Sequence, residues 1–104
     1  MFVRIWQFRA RPDRVAEFRA AYGPDGVWAG LFRRGAGFLG TDLLASTTDA
    51  DTYLTVDRWE SADAWAVFAR EWREAYADLD RRCEALTVAE VEVGAYEAPG
   101  APPA

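Results

Sequence analysis

Arg4 and Asp57 are the two charged residues whose positions suggest chemistry. Each occurs in a segment of alternating side chains, where it shares one side of a predicted strand with a tryptophan, Trp6 or Trp59. An aspartate among aromatic side chains can take a proton from a phenol or enol, and a neighbouring arginine can stabilise the resulting anion. Thr55, two residues before Asp57, adds a neutral hydroxyl to the same side. These three polar residues form the predicted catalytic group.

The same two charges also have a structural interpretation. Adjacent strands can bring Arg4 and Asp57 together, and a charge beneath covering helices must be paired or solvated. A buried salt bridge would meet that requirement with no catalytic role. An error of one residue in the assumed strand register would instead move a side chain to the other side of the sheet. The sequence leaves these interpretations open.

Aromatic side chains are expected to surround the polar residues. The predicted substrate-binding residues are Trp6, Phe38, Trp59, Trp65, Phe68 and Tyr76. Flat rings of this kind bind an aromatic ligand by offset stacking. The same rings could fill the core between sheet and helices, which is the usual role of an aromatic stripe at helical spacing. A small aromatic ligand is therefore one expectation, and a packed core is the other.

The amino-acid composition excludes several classes of site. The 104 residues include no histidine and a single cysteine, Cys83. We therefore expect no histidine base, no Ser-His-Asp triad and no metal site built from histidine or cysteine ligands. Neither a metal nor a cofactor is expected. One cysteine cannot form an internal disulfide, which agrees with a predicted cytoplasmic location.

The charge and hydropathy patterns bear on the binding partners. The formal net charge is −5 and the isoelectric point is about 4.6. A nucleic-acid-binding domain needs a concentrated basic face, so we expect no nucleic-acid partner. No apolar run approaches the roughly 20 residues needed to cross a bilayer, so we expect no membrane association.

The order of the predicted elements is β-α-α-β-β-α-β. Alternating and helical patterns predict strands or helices over residues 2–9, 12–22, 24–34, 41–46, 53–59, 61–82 and 88–96. This order is typical of the α+β, ferredoxin-like split β-α-β fold, with helices on one face of an antiparallel four-stranded sheet. Residues 1–97 are predicted to form one domain, and the Pro-, Gly- and Ala-rich segment 98–104 a disordered tail.

The sheet face opposite the helices is predicted to be apolar. It carries Val3 and Ile5 on the first strand and Leu54 and Val56 on the third. A monomer would expose this apolar surface to water. A second copy stacked on it would remove the exposure, so we expect a homodimer with twofold symmetry and the two sheets face to face.

Three motifs resemble a known family. They are R-x-R-P-x-R-x-x-E-F at 9–18, FRRGAGFLGTDLL at 32–44 and RWES-x-x-A at 58–64. Together they resemble antibiotic biosynthesis monooxygenase domains, which belong to the dimeric α+β barrel superfamily. The resemblance implies a dimer with one pocket per protomer, between the sheet and the helices. It also implies one of two activities: cofactor-independent oxidation of anthrone-like or quinol-like phenols with O₂, or haem degradation.

The resemblance assigns roles to particular positions. In the polyketide monooxygenases an asparagine precedes the tryptophan of the W-E-S motif by four residues, and an aromatic residue follows that tryptophan by six. These positions hold Thr55, Trp59 and Trp65. The family arginine on the later helix has Arg81 as its nearest equivalent, and we do not transfer its role.

The haem-degrading branch of the family uses asparagine, tryptophan and histidine. Those places fall near Trp6, Phe68 and Asp78, and none of the three matches. The sequence therefore favours the oxidation of a small aromatic metabolite without metal or flavin. Two other hypotheses remain: a non-catalytic dimeric binding or scaffold protein, and a cyclase or isomerase that uses Asp57 as a base without O₂.

Overall fold

The computed structural model describes residues 1–100 and confirms the α+β, ferredoxin-like fold. Its elements are β1 (Phe2–Ala10), α1 (Val15–Tyr22), α2 (Val27–Phe32), β2 (Phe38–Ala45), β3 (Thr52–Trp59), α3 (Ala62–Glu71), α4 (Arg73–Cys83), a 3₁₀ turn (Glu84–Leu86) and β4 (Thr87–Glu97). Of the predicted tail over 98–104, residues 101–104 lie outside the described residues.

The four strands within residues 1–100 form one antiparallel sheet in the order β2-β3-β1-β4. The strands first and third in the chain are therefore central, as the split β-α-β arrangement requires. Residues directly opposite each other on neighbouring antiparallel strands have adjacent side chains. The register places Asp57 opposite Arg4 on β1 and opposite Thr41 on β2.

The alternation along β3 separates a buried face from an open one. Tyr53, Thr55, Asp57 and Trp59 are each 7% exposed or less. The residues between them are half-buried, because they face away from the helices. We call that side the open face; it includes Val3, Ile5, Leu54 and Val56, as predicted.

Aromatic rings dominate the core on the helix-covered side of the sheet. The largest fully buried side chains are those of Phe18, Trp59 and Phe68. Phe18 on α1 packs against Tyr53 on β3 with ring centroids 5.0 Å apart, and Phe68 on α3 packs against Trp59 on β3 with centroids 5.1 Å apart. Offset and tilted ring pairs of this kind stabilise a core beyond the area that they bury. The helices are therefore held to the sheet mainly by aromatic packing.

The turn from β3 into α3 is fixed by short hydrogen bonds. Ser61 is the N-cap, as predicted, because the Ala64 N–H donates to its Oγ at 3.0 Å. The Glu60 N–H donates to the Gly37 carbonyl at 2.7 Å. Gly37 has φ +90°, a conformation that glycine adopts readily, and it directly precedes β2. Strand β2 consequently begins at Phe38, three residues before the predicted start.

The single helix predicted over 61–82 is instead divided at Trp72. This residue has φ −109° and ψ 22°, yet the Tyr76 N–H still donates to its carbonyl at 2.9 Å. The chain therefore bends without forming a loop. The Arg34 guanidinium lies 5.3 Å from the Trp72 ring centroid. The sequence has no helix-breaking residue at Trp72, so it does not indicate the bend. Within residues 1–100, no helix is long and apolar enough to span a membrane.

Candidate active site

A cavity of about 240 Å³ lies between the helix-covered side of the sheet and helices α1, α2 and α4. All four strands contribute to its wall. The lining residues are Trp6, Phe8, Tyr22, Trp28, Phe32, Thr41, Thr55, Asp57, Tyr76, Asp80 and Glu90. Six of these side chains are aromatic, so the cavity has the apolar wall and the few polar groups that are typical of a small-molecule site.

The aromatic wall is held by contacts between its own rings. The ring centroids of Phe8 and Tyr22 are 4.8 Å apart, and those of Trp28 and Tyr76, which pack edge to face, are 5.0 Å apart. Such contacts restrict ring rotation, since each ring occupies a position complementary to its neighbour. The wall therefore presents fixed apolar surfaces to a flat ligand.

Asp57 and two threonines form a polar floor. Asp57 is 7% exposed, and Thr41 and Thr55 are each 5% exposed. The Thr41 hydroxyl donates a 2.6 Å hydrogen bond to Asp57 Oδ1. Thr55 lies two residues before Asp57 on β3, so its hydroxyl lines the same floor. The polar floor thus lies on the sheet, and most of the aromatic wall lies on the helices.

The environment of Asp57 makes its neutral form more stable, relative to its charged form, than it is in water. Burial raises the pKa of Asp57 to about 6 from an ordinary value of 3.8. The hydrogen bond from Thr41 and the positive charge of Arg4 both oppose this rise. A carboxyl group that titrates near neutrality can accept and return a proton within one reaction cycle.

Arg4 lies opposite Asp57 on β1, but its side chain turns toward helix α3. Its Cζ atom is 3.9 Å from the centroid of the Trp65 ring and 5.9 Å from that of Trp6. A guanidinium in this position is held by cation–π attraction. Within residues 1–100, no ion pair joins Arg4 to Asp57 within 4.0 Å. The salt-bridge interpretation is therefore wrong, and Arg4 acts on Asp57 through its electric field.

Tyr76 brings a phenol from α4 to the cavity. Burial raises the pKa of Tyr76, and the positive charge of Arg4 opposes that rise. Tyr22, on the α1 side, also has a raised pKa because of burial. Both phenols consequently stay protonated at neutral pH and can donate hydrogen bonds to a ligand.

A match between the sequence and a family model identifies the family. The family model described as antibiotic biosynthesis monooxygenase matches residues 1–76. The chain belongs to the antibiotic biosynthesis monooxygenase family. No curated protein shows a significant match to the sequence.

Several solved structures are similar to this member of the antibiotic biosynthesis monooxygenase family. SnoaB, a cofactor-independent oxygenase from Streptomyces nogalater, has a TM-score of 0.69 and 18% identity, over 99% of this chain and 97% of SnoaB. PA3566 from Pseudomonas aeruginosa has a TM-score of 0.64 and 19% identity, over 94% of each chain. A NIPSNAP domain protein from Burkholderia xenovorans has a TM-score of 0.69 and 14% identity over both full lengths. At these identities the likeness shows the fold alone.

Four of the nine predicted site residues line the cavity. They are Trp6, Thr55, Asp57 and Tyr76. Thr55 is thus placed on the cavity floor. Arg4 and Trp65 lie beside the lining and contact each other.

The other three predicted residues, Trp59, Phe38 and Phe68, belong to the core behind the cavity. Trp59 is 0% exposed, and its ring lies 5.1 Å from the rings of both Phe38 and Phe68. The family tryptophan therefore has no surface in the cavity, because neighbouring rings enclose it. Its contribution to the site is the support of the wall.

Sequence reasoning missed seven lining residues: the polar Thr41, Asp80 and Glu90, and the aromatic Phe8, Tyr22, Trp28 and Phe32. Thr41 could have been found, because it begins the predicted second strand and its alternation places it beside Asp57 once β2 pairs with β3. Asp80 and Glu90 carry no such signal, since acidic residues on a helix or an edge strand are usually solvated. Both are exposed and lie at the mouth of the cavity.

The remaining reactive groups of residues 1–100 offer little alternative chemistry. No three His, Cys, Asp or Glu side chains in that range are placed to hold a metal ion. Cys83 is buried, and burial raises the pKa of its thiol, which disfavours the nucleophilic thiolate. Asp57 is thus the buried carboxyl group of the cavity, and Thr41, Thr55 and Tyr76 line the cavity with it.

Proposed function

We propose that the protein is a monooxygenase that oxidises a small phenolic, anthrone-like or quinol-like molecule with O₂ and no bound cofactor. The observation that carries this proposal is the buried carboxyl of Asp57, with a pKa of about 6, on the floor of an aromatic-walled cavity. Membership of the antibiotic biosynthesis monooxygenase family supports the reaction class.

The proposed reaction needs a base and a dry cavity. Asp57 takes a proton from the substrate, and the electron-rich anion then transfers an electron to O₂. Recombination gives a peroxide anion on the reacting carbon, and protonated Asp57 returns its proton to that anion. The resulting hydroperoxide loses water and leaves a carbonyl. In an anthrone-like substrate the reacting carbon is a CH₂ group. It loses two hydrogens and retains one oxygen atom of O₂, and the other oxygen atom leaves as water. The protein contributes positioning, proton transfer and exclusion of solvent.

The groups around Asp57 support the anionic intermediate. The positive charge of Arg4 favours a negative charge near the floor. The cation–π contact with Trp65 holds the Arg4 guanidinium in place. Thr55 and Tyr76 both line the cavity and supply hydroxyl donors. These donors can bind a substrate oxygen as its negative charge develops.

Oxygen uptake with a panel of anthrones and quinols tests the proposal. We expect uptake with at least one compound and a rate at least about 100-fold lower in Asp57→Asn, because a positioned base contributes that much or more. Asp63→Asn is the matched control, since Asp63 is an exposed carboxylate on α3 outside the cavity. Equal uptake rates in the wild type and Asp57→Asn would remove Asp57 from the mechanism.

A second candidate is proton transfer without oxygen, as in a cyclase or isomerase. The raised pKa of Asp57 favours it equally, because that property serves any proton abstraction. Product formation under anaerobic conditions, lost in Asp57→Asn, would select this candidate. Ligand binding with no turnover in either atmosphere would select the non-catalytic binding protein.

We also propose a homodimer formed through the open face of the sheet. Leu44 is 51% exposed, Val91 57% and Tyr96 54%, and the register places all three on this face beside the half-buried Ile5 and Leu54. Apolar side chains on several neighbouring strands form a larger patch than a monomer usually exposes. Stacking a second sheet on this patch would cover it and leave both cavities on the outer, helix-covered sides.

A further inference from the structure

The carboxylates that line the cavity lie at two depths. Asp57 is 7% exposed on the floor, whereas Asp80 on α4 and Glu90 on β4 are exposed. Asp80 and Glu90 also border an adjoining recess together with Glu84. The mouth of the cavity, which we define as Asp80 and Glu90, is therefore a carboxylate pair next to aromatic rings.

The mouth has no positive partner within residues 1–100. Asp78, two residues before Asp80 on the same helix, pairs with Arg81 at 3.5 Å and Arg82 at 3.1 Å. Neither Asp80 nor Glu90 has an arginine within 4.0 Å in the described part of the chain. The pKa of Glu90 is raised by burial and by repulsion from Asp80 and Glu84. A cation at the mouth would relieve this repulsion.

The interior of the cavity also offers a hydrogen-bond acceptor to a ligand. The buried Asp57 carboxyl receives its hydrogen bond at Oδ1, and its Oδ2 has no hydrogen-bond partner within residues 1–100. Among residues 1–100, no arginine lines the cavity. Aromatic faces together with carboxylates are the surroundings that bind ammonium groups in proteins.

We propose that the ligand is an aromatic molecule with a basic amine, whose hydroxyl end lies at the Asp57 floor and whose ammonium end lies between Asp80 and Glu90. This assignment rests on the proposed function for the hydroxyl end and on the unpaired mouth for the ammonium end. The same mouth repels carboxylates, so acidic aromatic compounds bind more weakly than neutral ones. The charge of the ligand is thereby set by residues that take no part in the reaction.

Three probes with one ring system test the charge preference without turnover. Naphthylmethylamine is a cation at neutral pH, naphthylmethanol is neutral and naphthoic acid is an anion. Dissociation constants come from titrations followed by protein NMR, in which shifts of the Thr55 and Glu90 amides locate the ligand. We expect the amine to bind roughly five- to tenfold more tightly than the alcohol, and the acid more weakly than either.

Two double variants separate the mouth from the net charge of the protein. In Asp80→Asn/Glu90→Gln we expect the affinity for the amine to fall to that for the alcohol, which itself stays unchanged. Glu71→Gln/Glu74→Gln is the matched control; it removes two exposed carboxylates outside the cavity and should keep the preference.

Several results would overturn the assignment. They are equal binding of amine and alcohol by the wild type, an amine preference that survives in Asp80→Asn/Glu90→Gln, and no binding of any probe. Failure of the oxygen-uptake assay is a separate result. An amine preference with no oxygen uptake would refute the oxidation and support the proposed charge of the ligand. Oxygen uptake with no amine preference would support the oxidation and refute the proposed charge.

Discussion

The Thr41 hydroxyl donates a 2.6 Å hydrogen bond to the Asp57 carboxylate, from one strand of the sheet to its neighbour. Both side chains are buried on the cavity floor. A hydrogen bond donated to a carboxylate stabilises the charged form and so limits the rise in pKa that burial causes. Thr41 therefore helps to set the pH at which Asp57 loses its proton.

Replacing Thr41 by valine should move the pH dependence of activity upward. Valine has nearly the same shape and no hydroxyl, so the pKa of Asp57 should rise from about 6 by about one unit. The measurement is the rate of oxygen uptake against pH, whose rising limb should shift by that amount. Thr41→Ser keeps the hydroxyl and should restore the wild-type midpoint. An unchanged midpoint in Thr41→Val would show that the hydrogen bond does not control the base.

The raised pKa of Asp57 also predicts a stability change with pH. Between its ordinary value of 3.8 and about 6, the folded protein holds a proton that the unfolded chain has lost. The free energy of unfolding should therefore fall as the pH rises through this range and stay reduced above it. Asp57→Asn keeps an oxygen acceptor for Thr41. Its free energy of unfolding at neutral pH should exceed that of the wild type by about 1–3 kcal/mol.

Urea unfolding of the wild type and Asp57→Asn at two pH values measures this effect. Below the ordinary aspartate pKa both states of the wild type are protonated, so the difference between the proteins should nearly vanish there. Asp63→Asn, on the surface of α3, should show no comparable gain at neutral pH. A neutral-pH stability for Asp57→Asn at or below that of the wild type would mean that burial does not penalise this carboxylate.

The fold was predictable because its signals are local. Strict alternation over β3, an N-cap at Ser61 and the order of the elements each depend on a few neighbouring residues. The same alternation correctly placed Thr55 and Asp57 beneath the helices. The bend at Trp72 was not predictable, since it accompanies a contact with Arg34 nearly forty residues away in the chain.

The site was only partly predictable because side-chain direction depends on tertiary competition. Arg4 and Asp57 are opposite in register, as expected, but Trp65 draws the guanidinium away from the carboxylate. The strand pattern places Trp59 and Trp6 on the same, helix-covered side of the sheet. Neighbouring side chains enclose Trp59, whereas Trp6 lines the cavity. Periodicity assigns a side of the sheet; it does not decide which ring meets the ligand.

The difference between Trp59 and Trp6 can be measured. Trp59→Phe should lower the free energy of unfolding by about 1–3 kcal/mol, because it leaves a void among enclosing rings. The loss is moderated because Trp59 Nε1 has no hydrogen-bond partner among residues 1–100, so its removal leaves no group there unpaired. Trp6→Phe should instead weaken the binding of naphthylmethanol severalfold with a smaller effect on stability. The reverse pattern would place Trp59 in contact with the ligand.

The proposed dimer depends on the open face, and Leu54 is a suitable position at which to test it. Leu54 lies on the central strand β3, opposite Gln7 on β1 and Leu44 on β2, with its side chain away from the cavity. A glutamate there would place a charge in the middle of two stacked sheets, where it would have no water or partner. In a monomer the same glutamate would be solvated, so Leu54→Glu should keep the fold and lose the dimer.

Sedimentation equilibrium distinguishes these states. The wild type should behave as a particle of twice the 11.6 kDa chain mass at micromolar concentration, and Leu54→Glu as a single chain. Val67→Glu is the matched control, because Val67 is 39% exposed on α3, on the helix side of the sheet. It should remain dimeric. A wild-type protein that sediments as one chain would refute the stacked sheets, and a Leu54→Glu variant that stays dimeric would move the interface to another surface.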